Sequence, residues 1–212
     1  MSSKAKKILA LLINLAIVIM ELFAFIVCYK SDGIGCFKYY TQDSNLFLMF
    51  ASLIYAIYLF INIKTNKDIP RLVSILKYSA TTCVTITFLV VITVLAPVMG
   101  GYKAMLIDGT MKYHHLICPI LAFISFIFLE EHNIKGSKDA LIAMIFTVAY
   151  GIVAVALNIF KVMDGPYPFL KVYEQSLLMS IMWVILMNGG TYLLNLLIAY
   201  LSNKKVNKKA SK

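Results

Sequence analysis

Charged side chains are scarce in this sequence: Asp, Glu, Lys and Arg make up 14% of 212 residues, against 61% hydrophobic ones. That ratio excludes an ordinary soluble domain, whose surface needs far more charge. Cysteine is sparse at four residues, which excludes a disulfide-stapled scaffold. A Cys28–Cys36 bridge could form in an oxidising compartment, but usage this thin points to free thiols. Five prolines and ten glycines leave few interruptions, so the elements should be long. Histidine occurs only at His114, His115 and His132. The first two are adjacent and would point about 100° apart on a helix, and the third belongs to the opposite membrane side, so no metal site is expected. No cofactor is expected either.

What the chain has in quantity is long apolar runs. Six of them, at 8–27, 46–63, 78–98, 113–129, 140–160 and 177–201, fall within the roughly 17 to 25 residues that a helix needs to cross about 30 Å of hydrocarbon. The fourth is marginal, because only 14 apolar residues remain when it is counted from Leu116. A crossing helix there must begin near Tyr113 and draw His114 and His115 into the interface. The fold class expected is all-α: one domain over 1–212, a polytopic membrane bundle of six transmembrane helices.

Basic residues set the expected orientation. Placing both termini in the cytoplasm puts 14 of the 20 basic side chains inside: Lys4, Lys6 and Lys7, then Lys64, Lys67, Arg71 and Lys77, then Lys135 and Lys138, then Lys204, Lys205, Lys208, Lys209 and Lys212. The net charge of +10 therefore reads as a topology signal facing anionic lipid headgroups, not as a nucleic-acid surface. The first apolar run is too long for a signal peptide and is expected to be retained. Arg71 is the only arginine, a usage associated with AT-rich genomes, so a bacterial cytoplasmic membrane is the expected location.

Within this frame a few polar residues stand out. Glu21 lies about two turns from the outer end of the first run, where a carboxylate must face the bundle interior, bind a proton or find a partner. Thr41, Asp43 and Ser44 open the second run, and Asp43 or Ser44 is expected to cap its exposed backbone donors. Asn188, Gly189, Gly190, Thr191 and Asn195 form a polar, small patch in the sixth, suited to close helix packing. Thr41, His114 and Tyr167 all precede or open even-numbered runs, which start on the same outer face. A threonine hydroxyl is a weak nucleophile until a base takes its proton, a task suited to histidine. Helix N-termini converging there would favour a developing oxyanion.

Three short segments carry a family resemblance: Lys38-Tyr39-Tyr40-Thr41, His114 followed five residues later by Pro119, and Tyr167-Pro168-Phe169-Leu170. In order and placement they resemble the androgen-induced membrane hydrolases, relatives of the androgen-dependent regulator of tissue factor pathway inhibitor, and their bacterial six-span branch. The resemblance implies an intramembrane threonine hydrolase acting on hydrophobic lipid esters such as fatty acid esters of hydroxy fatty acids. It implies Thr41 as nucleophile and His114 as base, with His115, Asp43, Glu21, Tyr167 and Asn188 as candidate supporting residues. The family's additional histidine is replaced here by the adjacent His115, which leaves the choice between the two open. The alternative expectation is a non-catalytic membrane protein that binds or carries a lipid or small anion.

Overall fold

The computed structural model describes residues 3–210, with side chains as far as Lys204; Lys205, Lys208, Lys209 and Lys212 from the basic tail lie outside the described side chains. Among the described residues seven helices follow one another: α1 (Ser3–Asp32), α2 (Tyr40–Thr65), α3 (Arg71–Val98), a short α4 (Gly101–Leu106), α5 (Tyr113–Phe128), α6 (Gly136–Ile159) and α7 (Leu177–Ala210). Short 3-10 helices occupy Gly33–Lys38 and Pro168–Leu170, and the described residues contain no strand. Five of the helices, α1, α2, α3, α6 and α7, are long and apolar enough to cross a membrane, whereas Tyr113–Phe128 is a shorter apolar helix.

The helices pack with their polar residues inward. On α1 the buried positions are Ala10, Asn14, Ile17, Glu21 and Ala24, a spacing of three and four residues that marks one helical face. Its opposite face is apolar and exposed, with Leu12 at 57% and Ile19 at 68%. This is the pattern of a helix solvated by hydrocarbon, where small and hydrogen-bonding groups hold neighbours together. α3 is the central element, buried at nearly every position from Val73 to Thr87. α1 and α2 pair on one side of it, α6 and α7 on another, and α5 lies against α1 and α3.

Two helices depart from α geometry, each just before a proline. In α3 the stretch Val91–Leu95 is a π turn, in which the Ala96 N–H reaches the Val91 carbonyl. The Ile92 carbonyl freed by that shift accepts from the Tyr102 hydroxyl at 3.2 Å. Pro97 follows, and Gly100, with φ of +85°, turns the chain into α4. α5 opens in the same way, with a π turn over Tyr113–Ile117 and Pro119 two residues on.

Towards the end of the bundle away from Thr41, the core holds a buried ionic cluster. Lys77 donates to Ser52 at 2.7 Å and lies 3.9 Å from Glu130, both charged side chains being fully enclosed. Glu130 Oε1 accepts from Asn14 and from Ser125, each at 2.8 Å. Beside it Tyr78 stacks on Phe126 with ring centroids 5.7 Å apart. The Tyr78 hydroxyl donates to the Asn195 carbonyl at 2.6 Å, and the Asn195 amide donates to the Ala140 carbonyl at 2.8 Å. These bonds hold the second half of α7 against the bundle. Its first half stands off, with Leu177 78% and Ile185 66% exposed. All four cysteines are free thiols.

Candidate functional site

The gap left by the first half of α7 is an elongated cavity of about 650 Å³ between α3, α6 and α7, with Thr41, Tyr40 and Tyr167 in its wall. Thr41 sits in the first turn of α2, where backbone N–H groups have no partner within the helix. Neither Asp43 nor Ser44 caps that turn, which corrects the expectation from sequence. Ser44 instead donates back to the Thr41 carbonyl at 3.1 Å. The cap comes from a distant loop: the Thr41 N–H donates to the Tyr167 hydroxyl at 3.3 Å. Burial pushes the Tyr167 phenol up to about 12, so it keeps its own proton to donate at neutral pH.

Behind Thr41 stands His115. Thr41 Oγ1 lies 3.2 Å from His115 Nε2, and His115 Nδ1 lies 2.6 Å from the Met105 carbonyl at the end of α4. A carbonyl can only accept, so Nδ1 carries the proton and, in the neutral ring, Nε2 presents a lone pair to the threonine hydroxyl. That is the tautomer a general base needs.

His114 faces a different set of partners. Its Nδ1 is 2.7 Å from Glu21 Oε2 and its Nε2 is 3.2 Å from the Gln42 side-chain nitrogen. The consistent assignment has Nδ1–H donating to the carboxylate and the Gln42 amide donating to Nε2. Both histidines are buried, at 1% and 3% exposure. The π turn makes this possible, because its wider winding lets two adjacent side chains share the interior. The Cys118 N–H bonds to Tyr113 in place of His114, and the freed His114 carbonyl accepts from Asn45 at 3.2 Å. Asn45 also donates to the Thr41 carbonyl at 2.8 Å, strapping the start of α2 to the start of α5.

The structure thus brings Thr41, His114, His115, Glu21 and Tyr167 together and leaves two candidates outside. Asp43 lines a second cavity with Lys38 and Phe37, away from the histidines. Asn188 lies in the wall of the main cavity, but its amide donates to the Val184 carbonyl of its own helix at 2.8 Å. Three contributors escaped the sequence reading. Gln42 and Asn45 are polar residues three apart beside Thr41, a spacing that marks one helix face and could have drawn notice. Met105 contributes a backbone oxygen, for which no side-chain pattern exists. Among the described residues no group of three His, Cys, Asp or Glu side chains could hold a metal ion.

The Glu21–His114 contact gives a direct expectation. Glu21→Ala strands the His114 N–H in a buried setting and should lower stability by about 1.5 to 3 kcal/mol. Glu21→Gln keeps an acceptor of the same shape and should recover most of that loss. Thermal unfolding of the detergent-solubilised protein measures both, and equal losses in the two variants would show that the charge of Glu21, rather than its acceptor oxygen, stabilises this contact.

No protein-family model, curated protein or solved structure matches this chain.

Proposed function

We propose that this chain is an intramembrane lipid esterase in which Thr41 is the nucleophile and His115 the general base. The observation that carries the reading is the hydrogen bond from Thr41 to His115 Nε2, with the opposite ring nitrogen tied to the Met105 carbonyl. The substrate's ester carbonyl enters the cavity beside Thr41. Thr41 Oγ attacks the carbonyl carbon and its proton passes to His115 Nε2. The oxyanion is met by the Tyr167 O–H. Collapse expels the alcohol, which takes the proton from His115, and water then releases the acyl group from Thr41 by the same route. His114, held by Glu21 and Gln42, orients the turn that carries the base; this is a different assignment from the one the family resemblance implies for His114.

In the membrane this reading takes Tyr113–Phe128 as a sixth crossing, with both termini on the cytoplasmic side of a bacterial cytoplasmic membrane. The test is covalent labelling. The purified protein treated with a long-chain fluorophosphonate should carry one adduct at Thr41, located by peptide mass spectrometry. Undiminished labelling of Thr41→Ala would sink the assignment.

A second reading, a lipid carrier without chemistry, draws on the same cavity. Transfer of a fluorescent lipid between vesicles that persists in the Thr41→Ala, His115→Ala double variant would favour it.

A further inference from the structure

The wall of the main cavity holds no Asp, Glu, Lys, Arg or His side chain. Its hydroxyl and amide groups are mostly occupied within the protein. Tyr40 and Thr147 bond each other at 2.6 Å, Thr87 donates to the Cys83 carbonyl, Tyr150 to the Lys38 carbonyl and Asn188 to the Val184 carbonyl. Ser180 and the Trp183 indole are only half-buried on α7, so the Tyr167 O–H beside Thr41 is the buried donor that a ligand's polar group meets. The cavity also has a closed end. Tyr167, Phe169, Leu170 and Val172 of the loop before α7 line it. That loop is pinned to α6, with Asn158 donating to the Met163 carbonyl at 3.1 Å and accepting from the Val172 N–H at 2.9 Å. Its turn is tight, since a Cβ on Gly165 would meet the Leu170 carbonyl at 2.6 Å. The open side is lateral: Ile152 on α6 and Ile185 on α7 both line the cavity and are 65% and 66% exposed.

From this we infer that the ligand of the cavity is an uncharged long-chain ester dissolved in the bilayer, which enters sideways between α6 and α7 and leaves charged lipids outside; this departs from the substrates that the resemblance implies, because a fatty acid ester of a hydroxy fatty acid carries a free carboxylate. A carboxylate or phosphate drawn into this space would be stripped of water with no cation and almost no donor to receive it. The pinned loop denies a headgroup an exit past the end of the cavity. An ester needs only one polar contact point, and Thr41 with Tyr167 supplies one. The inference rests on the esterase reading only for where the ester sits; the exclusion of charge follows from the wall.

Trp183 makes the test direct. It is the only tryptophan in the chain and it lines the cavity, so its fluorescence reports occupancy. The full chain carrying Thr41→Ala is placed in nanodiscs and titrated with three probes that share a brominated acyl chain: an alkyl ester, a free fatty acid and a phosphatidylglycerol. The alkyl ester should quench Trp183 at a mole fraction at least about tenfold lower than the two charged probes. Gly151→Phe should weaken quenching by the ester, since nothing lies within 4 Å of a Cβ at Gly151 and the ring takes up part of the cavity. Val172→Lys, which sets a cation on the pinned loop, should move the preference towards the fatty acid. Equal quenching by all three probes, or ester quenching that Gly151→Phe leaves unchanged, would overturn the inference. Ester preference in binding combined with no turnover by the unaltered protein would uphold it and count against the esterase reading alone.

Discussion

His115→Ala is expected to lower ester hydrolysis by about 10²- to 10⁴-fold, the span that a positioned general base contributes. Thr41→Ala should fall at least as far, and the double variant should be no worse than the poorer single one, because a nucleophile and its base act as a unit. His114→Ala should behave differently. It leaves Nε2 of His115 and its Met105 partner in place, so a measurable rate should survive, but it strands the Glu21 carboxylate in the core and should cost stability. Initial rates on an uncharged long-chain ester in nanodiscs, alongside far-UV circular dichroism to confirm folding, separate the cases. Should His114→Ala abolish turnover while His115→Ala keeps it, the base has been assigned to the wrong ring.

The largest expected loss of stability lies at the other end of the bundle. Lys77→Met removes the cation beside Glu130, whose Oε1 keeps Asn14 and Ser125 but loses its counter-charge. Breaking a buried ion pair from one side costs about 3 to 5 kcal/mol, since the remaining charge is left uncompensated where water cannot reach it. Adding Glu130→Gln to Lys77→Met should restore most of that, because a neutral amide still accepts from Asn14 and Ser125. Unfolding in mixed micelles for the two single variants and the double variant gives the coupling. Losses that simply add would mean that Lys77 and Glu130 do not sense each other across 3.9 Å.

The helices were readable in the sequence because hydrocarbon tolerates little else: long apolar runs with basic residues between them leave one fold class open. The gathering of Thr41, the histidines and Tyr167 was readable for a related reason, since alternate helix starts fall on one face. What could not be read depended on single-residue register. Thr41 and Asp43 are two residues apart, about 200° around a helix, so one enters the histidine cluster and the other a separate cavity. The start of α2 lies at Tyr40, before the apolar run begins, and so buries Gln42 and Asn45 where hydropathy shows only a polar loop. The Tyr167 cap on Thr41 spans 126 residues of sequence, beyond any local capping rule.

The choice between the histidines turned on the smallest feature of all. A π turn is an α-helix carrying about one residue too many, a bulge that leaves the helix on either side in step. The Tyr113–Ile117 turn can therefore be thought of as an insertion. Remove one residue from it and Cys118–Phe128 would keep its seat against α1 and α3, while the interior would have room for a single ring. The separation of the proposed base, His115, from its carboxylate-bound neighbour thus rests on one residue of winding.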